Sequence, residues 1–130
     1  MTIEDFIHDF NEIYKGDPWL GVSIVKSIEN VSWKDVNIKP EGTKKSIAEM
    51  LLHVVNWRIF AIAKIKEHKG FNIVLNSEDD WTPITIESES EWDSLLERLE
   101  ETQTVICNLL HAKSNYWFNE ITTGIPKDMA

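Results

Sequence analysis

The sequence predicts an all-α protein: a four-helix bundle with a long crossover between its second and third helices and a short or truncated fourth helix. Three observations lead there. Apolar residues recur at spacings of three and four through 3–13, 47–65 and 92–110, which keeps one side of each helix inward. Residues that start and stop helices bracket those runs. The alternation of apolar and polar residues that marks a half-buried strand is nearly absent.

Taken in order, Thr2 caps a first helix that turns Ile3, Phe6, Ile7, Phe10 and Ile13 inward, and Gly16 interrupts it. Asp17-Pro18 restarts it as a cap followed by proline at the first helical position, with Trp19, Leu20, Ile24 and Ile28 inward. The two pieces make one bent arm. Val31 to Thr43 is a connector, anchored by Trp33 and turned at Lys39-Pro40-Glu41-Gly42. Ser46 and Glu49 form a capping box for a second helix that runs to His68, where basic residues oppose its negative end and Gly70 follows. From Gly70 to Glu87 there is no helical period, so this stretch is a crossover, with Phe71–Leu75 as a short extended piece. Its Trp81 either plugs the end of the core or contacts a substrate. Ser88 or Ser90 opens the third helix, whose Trp92, Leu95, Leu96, Leu99, Thr102, Ile106, Leu109 and Leu110 face inward while Glu91, Asp93, Glu97, Glu100 and Glu101 face water. It frays near His111. Asn115-Tyr-Trp-Phe118 is an aromatic wedge ahead of the fourth helix, little of which remains.

At 130 residues the chain is expected to be one domain, 1–130. Its 22 acidic residues against 13 basic ones give a net charge of -9 with no basic stripe, which argues against a nucleic-acid partner. The amino end has no positive segment leading into an apolar run, and no stretch approaches the roughly 18 apolar residues that span a membrane. A soluble, cytoplasmic protein with no membrane partner is therefore expected. The single Cys107 cannot form an internal disulfide, and beside Ile106, Leu109 and Leu110 it reads as a packed thiol. No Gly-x-Ser-x-Gly or Cys-His-Asn pattern supports covalent catalysis.

The residue that draws attention is His53. It lies on the helix whose Ile47, Met50, Leu51, Val54, Trp57, Ala61 and Ile65 are expected to face inward. Burying an imidazole costs free energy unless its nitrogens find partners, so His53 is hydrogen-bonded, set at a wet cavity, or bound to a metal. Asn56 and Trp57, one turn on, either support such a site or are an exposed amide and a core aromatic. His8, His68 and His111 lie near helix ends or on polar faces, and their spacing does not bring them to His53.

Trp19 to Ile28, the Lys39-Pro40-Glu41-Gly42 turn, the Ser46 to Arg58 helix, Asp80-Trp81 and Glu91-Trp92 occur in an order that resembles the DinB/YfiT-like superfamily. That is a bacterial group of four-helix bundles assigned metal-dependent hydrolase and thiol-dependent transferase activities. The resemblance implies that His53 is the first of three metal ligands, the other two forming His-x-x-x-His on the last helix. The matching segment here is Gly124-Ile125-Pro126-Lys127-Asp128-Met129-Ala130. Asp128 takes the first of those positions, and the second falls about two residues beyond Ala130, given the one-turn spacing. Zinc or nickel on His53 and Asp128 is the implied cofactor. Two ligands hold such an ion weakly, so little or no metal is expected on this chain.

Two function classes follow. In one, the protein is a DinB-type metal-dependent hydrolase or thiol-dependent transferase with an incomplete metal site, acting on a small molecule or a low-molecular-weight thiol. In the other, it is a non-catalytic helical module with a decayed metal site. A homodimer is expected, a second copy covering the apolar stripes Ile47–Ile65 and Leu95–Leu110.

Overall fold

The computed structural model describes residues 1–17, 22–68 and 70–123. Among them five helices form and no strand: α1 (Ile3–Lys15), α2 (Ile24–Ile28), α3 (Ile47–Ile65), α4 (Glu89–His111) and α5 (Asn115–Thr123). The protein is all-α. It divides into two compact units, one drawn from the described residues of 1–29 and 107–130, the other from residues 30–106.

In the first unit, α1 starts where Thr2 accepts from the Asp5 N–H while Asp5 returns a bond to the Thr2 N–H, a closed capping box. Ile3, Ile7 and Tyr14 are its buried residues, and Ile13 is exposed. The expected stripe therefore drifts by one position at its far end, from Ile13 to Tyr14. α2 packs on α1 and is capped by Ser23, whose hydroxyl accepts from the Lys26 N–H. Val22 and Ser23 are not helical, so no helix runs unbroken from Asp17 to Ile28. The expected start at Asp17-Pro18 extends into residues 18–21, which lie outside the described residues. The Asn115 side chain accepts from the Ile3 N–H at 2.8 Å, and Phe118 packs on Phe6 with ring centroids 5.5 Å apart. The aromatic segment at 115–118 is thus the first turn of α5 itself rather than a wedge before a fourth helix.

In the second unit the connector turns at Pro40, where the Thr43 N–H donates to the Pro40 carbonyl and Gly42 takes φ 85°, the positive value that a type II turn requires. Its anchor is Val36, fully buried, and not Trp33, which is half-buried. Position decides here: the Val36 carbonyl accepts from the Ala48 N–H in the first turn of α3, which draws Val36 inward. Asn37 bonds the crossover at both main-chain groups of Ile86, its amide donating to the carbonyl at 2.7 Å and its oxygen accepting from the N–H at 2.9 Å.

α3 opens on the Ser46–Glu49 capping box and closes at Lys66. It ends three residues before the expected His68 because Glu67 takes the left-handed conformation, φ 63°, that Gly70 was expected to supply. Its buried residues are Ala48, Leu51, Leu52, Val55, Arg58 and Ala63, with Met50 40% exposed. The inward side is rotated from the expected stripe, which leaves His53, Trp57 and Phe60 along its margin, each half-buried. The stretch from Phe71 to Glu87 contains turns and no helix. Ser88 caps α4 by accepting from the Glu91 N–H, and Trp92, Leu95, Leu99, Thr102, Ile106 and Leu110 are buried as the spacing predicts. Leu95, Leu99, Ile106 and Leu110 are at most 4% exposed, so of the two stripes on which the dimer expectation drew, this one is already covered within a single copy.

Candidate functional site

The crossover brings Asp80 to His53. The loop that does so is closed locally: Ser77 donates to the Val74 carbonyl, and the Asp80 and Trp81 N–H groups both donate to the Ser77 carbonyl. Asn76 sits at φ 63°, a left-handed conformation that asparagine tolerates, and its N–H donates to Asp80 Oδ2 at 2.8 Å.

Asp80 is 3% exposed, and its carboxylate is met by donors. Oδ2 takes the Asn76 N–H; Oδ1 takes the Trp57 indole N–H at 2.7 Å and His53 Nδ1 at 2.9 Å. The Asp80 main-chain carbonyl lies 3.1 Å from the same Nδ1. Both atoms facing Nδ1 are acceptors, so Nδ1 carries the proton and, in the neutral ring, Nε2 holds the lone pair. Nε2 has no protein partner among the described residues, and no side-chain nitrogen or oxygen there is buried without one, so Nε2 is the wet edge of the ring. The ring plane is set by Trp81, stacked on it with centroids 3.8 Å apart and planes 7° from parallel, and Lys45 Nζ stands 4.7 Å from the Trp81 ring centroid. Asn56 completes the frame, donating to Thr82 Oγ1 at 3.0 Å and to the Asp80 carbonyl at 3.4 Å.

The Asn76 N–H first, then the Trp57 indole and His53, hold the Asp80 carboxyl below the ordinary aspartate value, although burial pulls the other way. The sign follows from linkage. A group whose folded pKa is depressed stabilises the fold above its unfolded value, about 3.9, and that contribution is lost as pH falls through the folded value. Wild type and Asp80→Asn are therefore expected to differ most in thermal midpoint above pH 5, the gap narrowing below about pH 4. Melting curves from pH 2.5 to 7 read this directly, and a gap independent of pH would contradict it.

Of the expected site residues, His53 is at the centre. Asn56 and Trp57 support it through Asp80, the sharper of their two readings. Asp128 lies outside the described residues. His8, His68 and His111 are exposed. Sequence reasoning missed Asp80 as the partner, although a half-buried imidazole demands an acceptor and Asp79-Asp80-Trp81 offers two in the crossover.

The DinB superfamily model matches residues 23–128. The chain belongs to the DinB superfamily. Searches of curated proteins and of solved structures each found no match. For the metal associated with this superfamily, the donor set is the test. A metal-binding histidine commonly donates its other ring N–H to a carboxylate, which fixes the tautomer and the direction of the free nitrogen. His53 and Asp80 have that relation. Among the described residues, however, no group of three or more His, Cys, Asp or Glu side chains could hold an ion. The described residues fit one coordination position with its support, and do not fit a whole centre. No described helix is long and apolar enough to cross a membrane.

Proposed function

We propose that His53 is the working group of a DinB-type metal-dependent hydrolase or thiol-dependent transferase that acts on a small molecule, with Asp128 as a further ligand. The single observation that supports this reading is the 2.9 Å approach of His53 Nδ1 to the buried Asp80 carboxylate, which leaves Nε2 wet and directed. A bound zinc or nickel ion would polarise a carbonyl or lower the pKa of a bound water or thiol. The chain's own residues hold the proton on Nδ1, fix the ring plane through Trp81, and keep Asp80 charged at neutral pH.

The test is titration of tag-free protein with zinc and with nickel by calorimetry. Weak uptake is expected, abolished in His53→Ala and weakened about 10- to 100-fold in Asp80→Asn, the usual cost of removing a partner of a metal-binding histidine. Loss in Asp128→Ala as well would bring that carboxylate into the ligand set. Uptake indifferent to His53→Ala, or none at all, would favour the non-catalytic module. Sedimentation would then show whether that module pairs with a second copy.

A further inference from the structure

The indole of Trp81 carries a group on each of its faces. His53 is stacked on one, 3.8 Å between centroids and 7° from parallel, which leaves no room there for a second group. Lys45 Nζ, 4.7 Å from the centroid, therefore stands over the other face. All three side chains are half-buried, and all belong to the second unit. The root of Lys45 is held. Its N–H donates to Thr43 Oγ1 at 3.0 Å, and the next residue, Ser46, is the buried cap of α3. The acid of that first turn, Glu49, is engaged elsewhere: its Oε1 accepts from the Ser46 N–H at 3.2 Å and lies 3.8 Å from Lys39 Nζ. Lys45 thus reaches the indole from a fixed helix start, whereas Trp81 arrives on a crossover that contains no helix.

From this sandwich we infer that Lys45 is a positioning residue: its ammonium clamps Trp81 flat on His53 and, through that ring, fixes the direction of Nε2. The bonds from Nδ1 to Asp80 hold only one edge of the imidazole. The outer torsion of a histidine is broad, so the ring can still tilt about that edge. A flat indole removes the tilt. The indole must then be kept in place, and a cation over its outer face is drawn to the ring's negative quadrupole, the more strongly the less water surrounds it. Lying across the indole from the imidazole, the ammonium does this without competing for the Asp80 carboxylate. The inference rests on the reading of His53 given above, for which a fixed Nε2 is the requirement.

The test compares wild type with Lys45→Met, which keeps an unbranched chain and removes the charge, and Lys45→Arg, whose guanidinium also stacks on an indole. With a chelator present, nuclear Overhauser contacts between the Trp81 and His53 rings, and the upfield displacement of the His53 ring protons by the indole, report the stack. Wild type and Lys45→Arg are expected to show both. In Lys45→Met the ratio of stacked to open ring is expected to fall about two- to fivefold, the scale of one partly exposed cation–π contact. Unmoved Trp92 and Leu99 signals show that this variant is folded. Zinc titration of the three proteins is expected to follow the same order. A stack as firm in Lys45→Met as in wild type, a stack lost equally in Lys45→Arg, or a lost stack with unchanged zinc affinity would each overturn the inference. The stack is read without metal, so failure of all three proteins to take up zinc counts against the metal reading of His53 and not against the clamp.

Discussion

Asp80→Ala is expected to lower the melting midpoint by about 5 to 15 °C and to release the His53 ring, the largest effect of any single change at the site. Among the described residues the carboxylate is the acceptor for both the Trp57 indole N–H and the Asn76 N–H, and alanine takes it from both. His53 Nδ1 keeps only the main-chain carbonyl at 3.1 Å, which lies in the very loop that Asp80 was holding. Asp80→Asn is expected to fall between wild type and alanine. Its amide oxygen can still accept from Trp57, but its NH2 group then faces the Asn76 N–H, donor against donor. The checks are thermal melts and the nitrogen-15 shifts of His53, which report the tautomer. An unchanged midpoint with the Nδ1 proton still in place would mean that the loop, not the carboxylate, orients the ring.

Asn37→Ala is expected to cost about 2 to 4 kcal/mol by urea denaturation, although Asn37 touches nothing at the site. Its side chain stands in for a neighbouring strand: it gives Ile86 both an acceptor for the N–H and a donor for the carbonyl. Ile86 is 4% exposed, so water reaches neither group easily once the amide is gone. Leaving a buried main-chain group unpaired costs about 1 to 3 kcal/mol, more than the net value of the bond itself. Asn37→Asp should not rescue stability, because a carboxylate facing the Ile86 carbonyl sets two acceptors against each other. A loss below about 0.5 kcal/mol, the ordinary scale of a surface substitution, would show that Ile86 finds other partners.

The helices were legible wherever one side of the helix is apolar and the other is not. α4 has acids along one side and leucines along the other, and its buried set agrees with its spacing almost residue for residue. α1 keeps the capping box that Thr2 and Asp5 form, since a cap depends on four adjacent residues and nothing distant. α3 behaves differently. Apolar residues lie nearly all round it, so periodicity permits several inward directions, and packing selected the side through Leu51, Leu52 and Val55. The local end of α3 was equally underdetermined, with Glu67 adopting the backbone conformation that Gly70 would have taken at less cost.

By itself, then, the sequence determined an all-α protein, where most helices start, the superfamily, and that His53 would need a partner. These follow from interactions within a few residues, or from the expense of leaving an imidazole unsatisfied. Only the tertiary structure decided the partner. Asp80 is 27 residues away from His53, in a stretch with no helical period, and was one of several carboxylates in the crossover. Its selection depends on a loop closed by Val74, Asn76 and Ser77 and on the rotation of α3 that puts His53 and Trp57 at the margin of the core. Both are products of packing between segments far apart in the chain, which residue spacing along one segment does not encode.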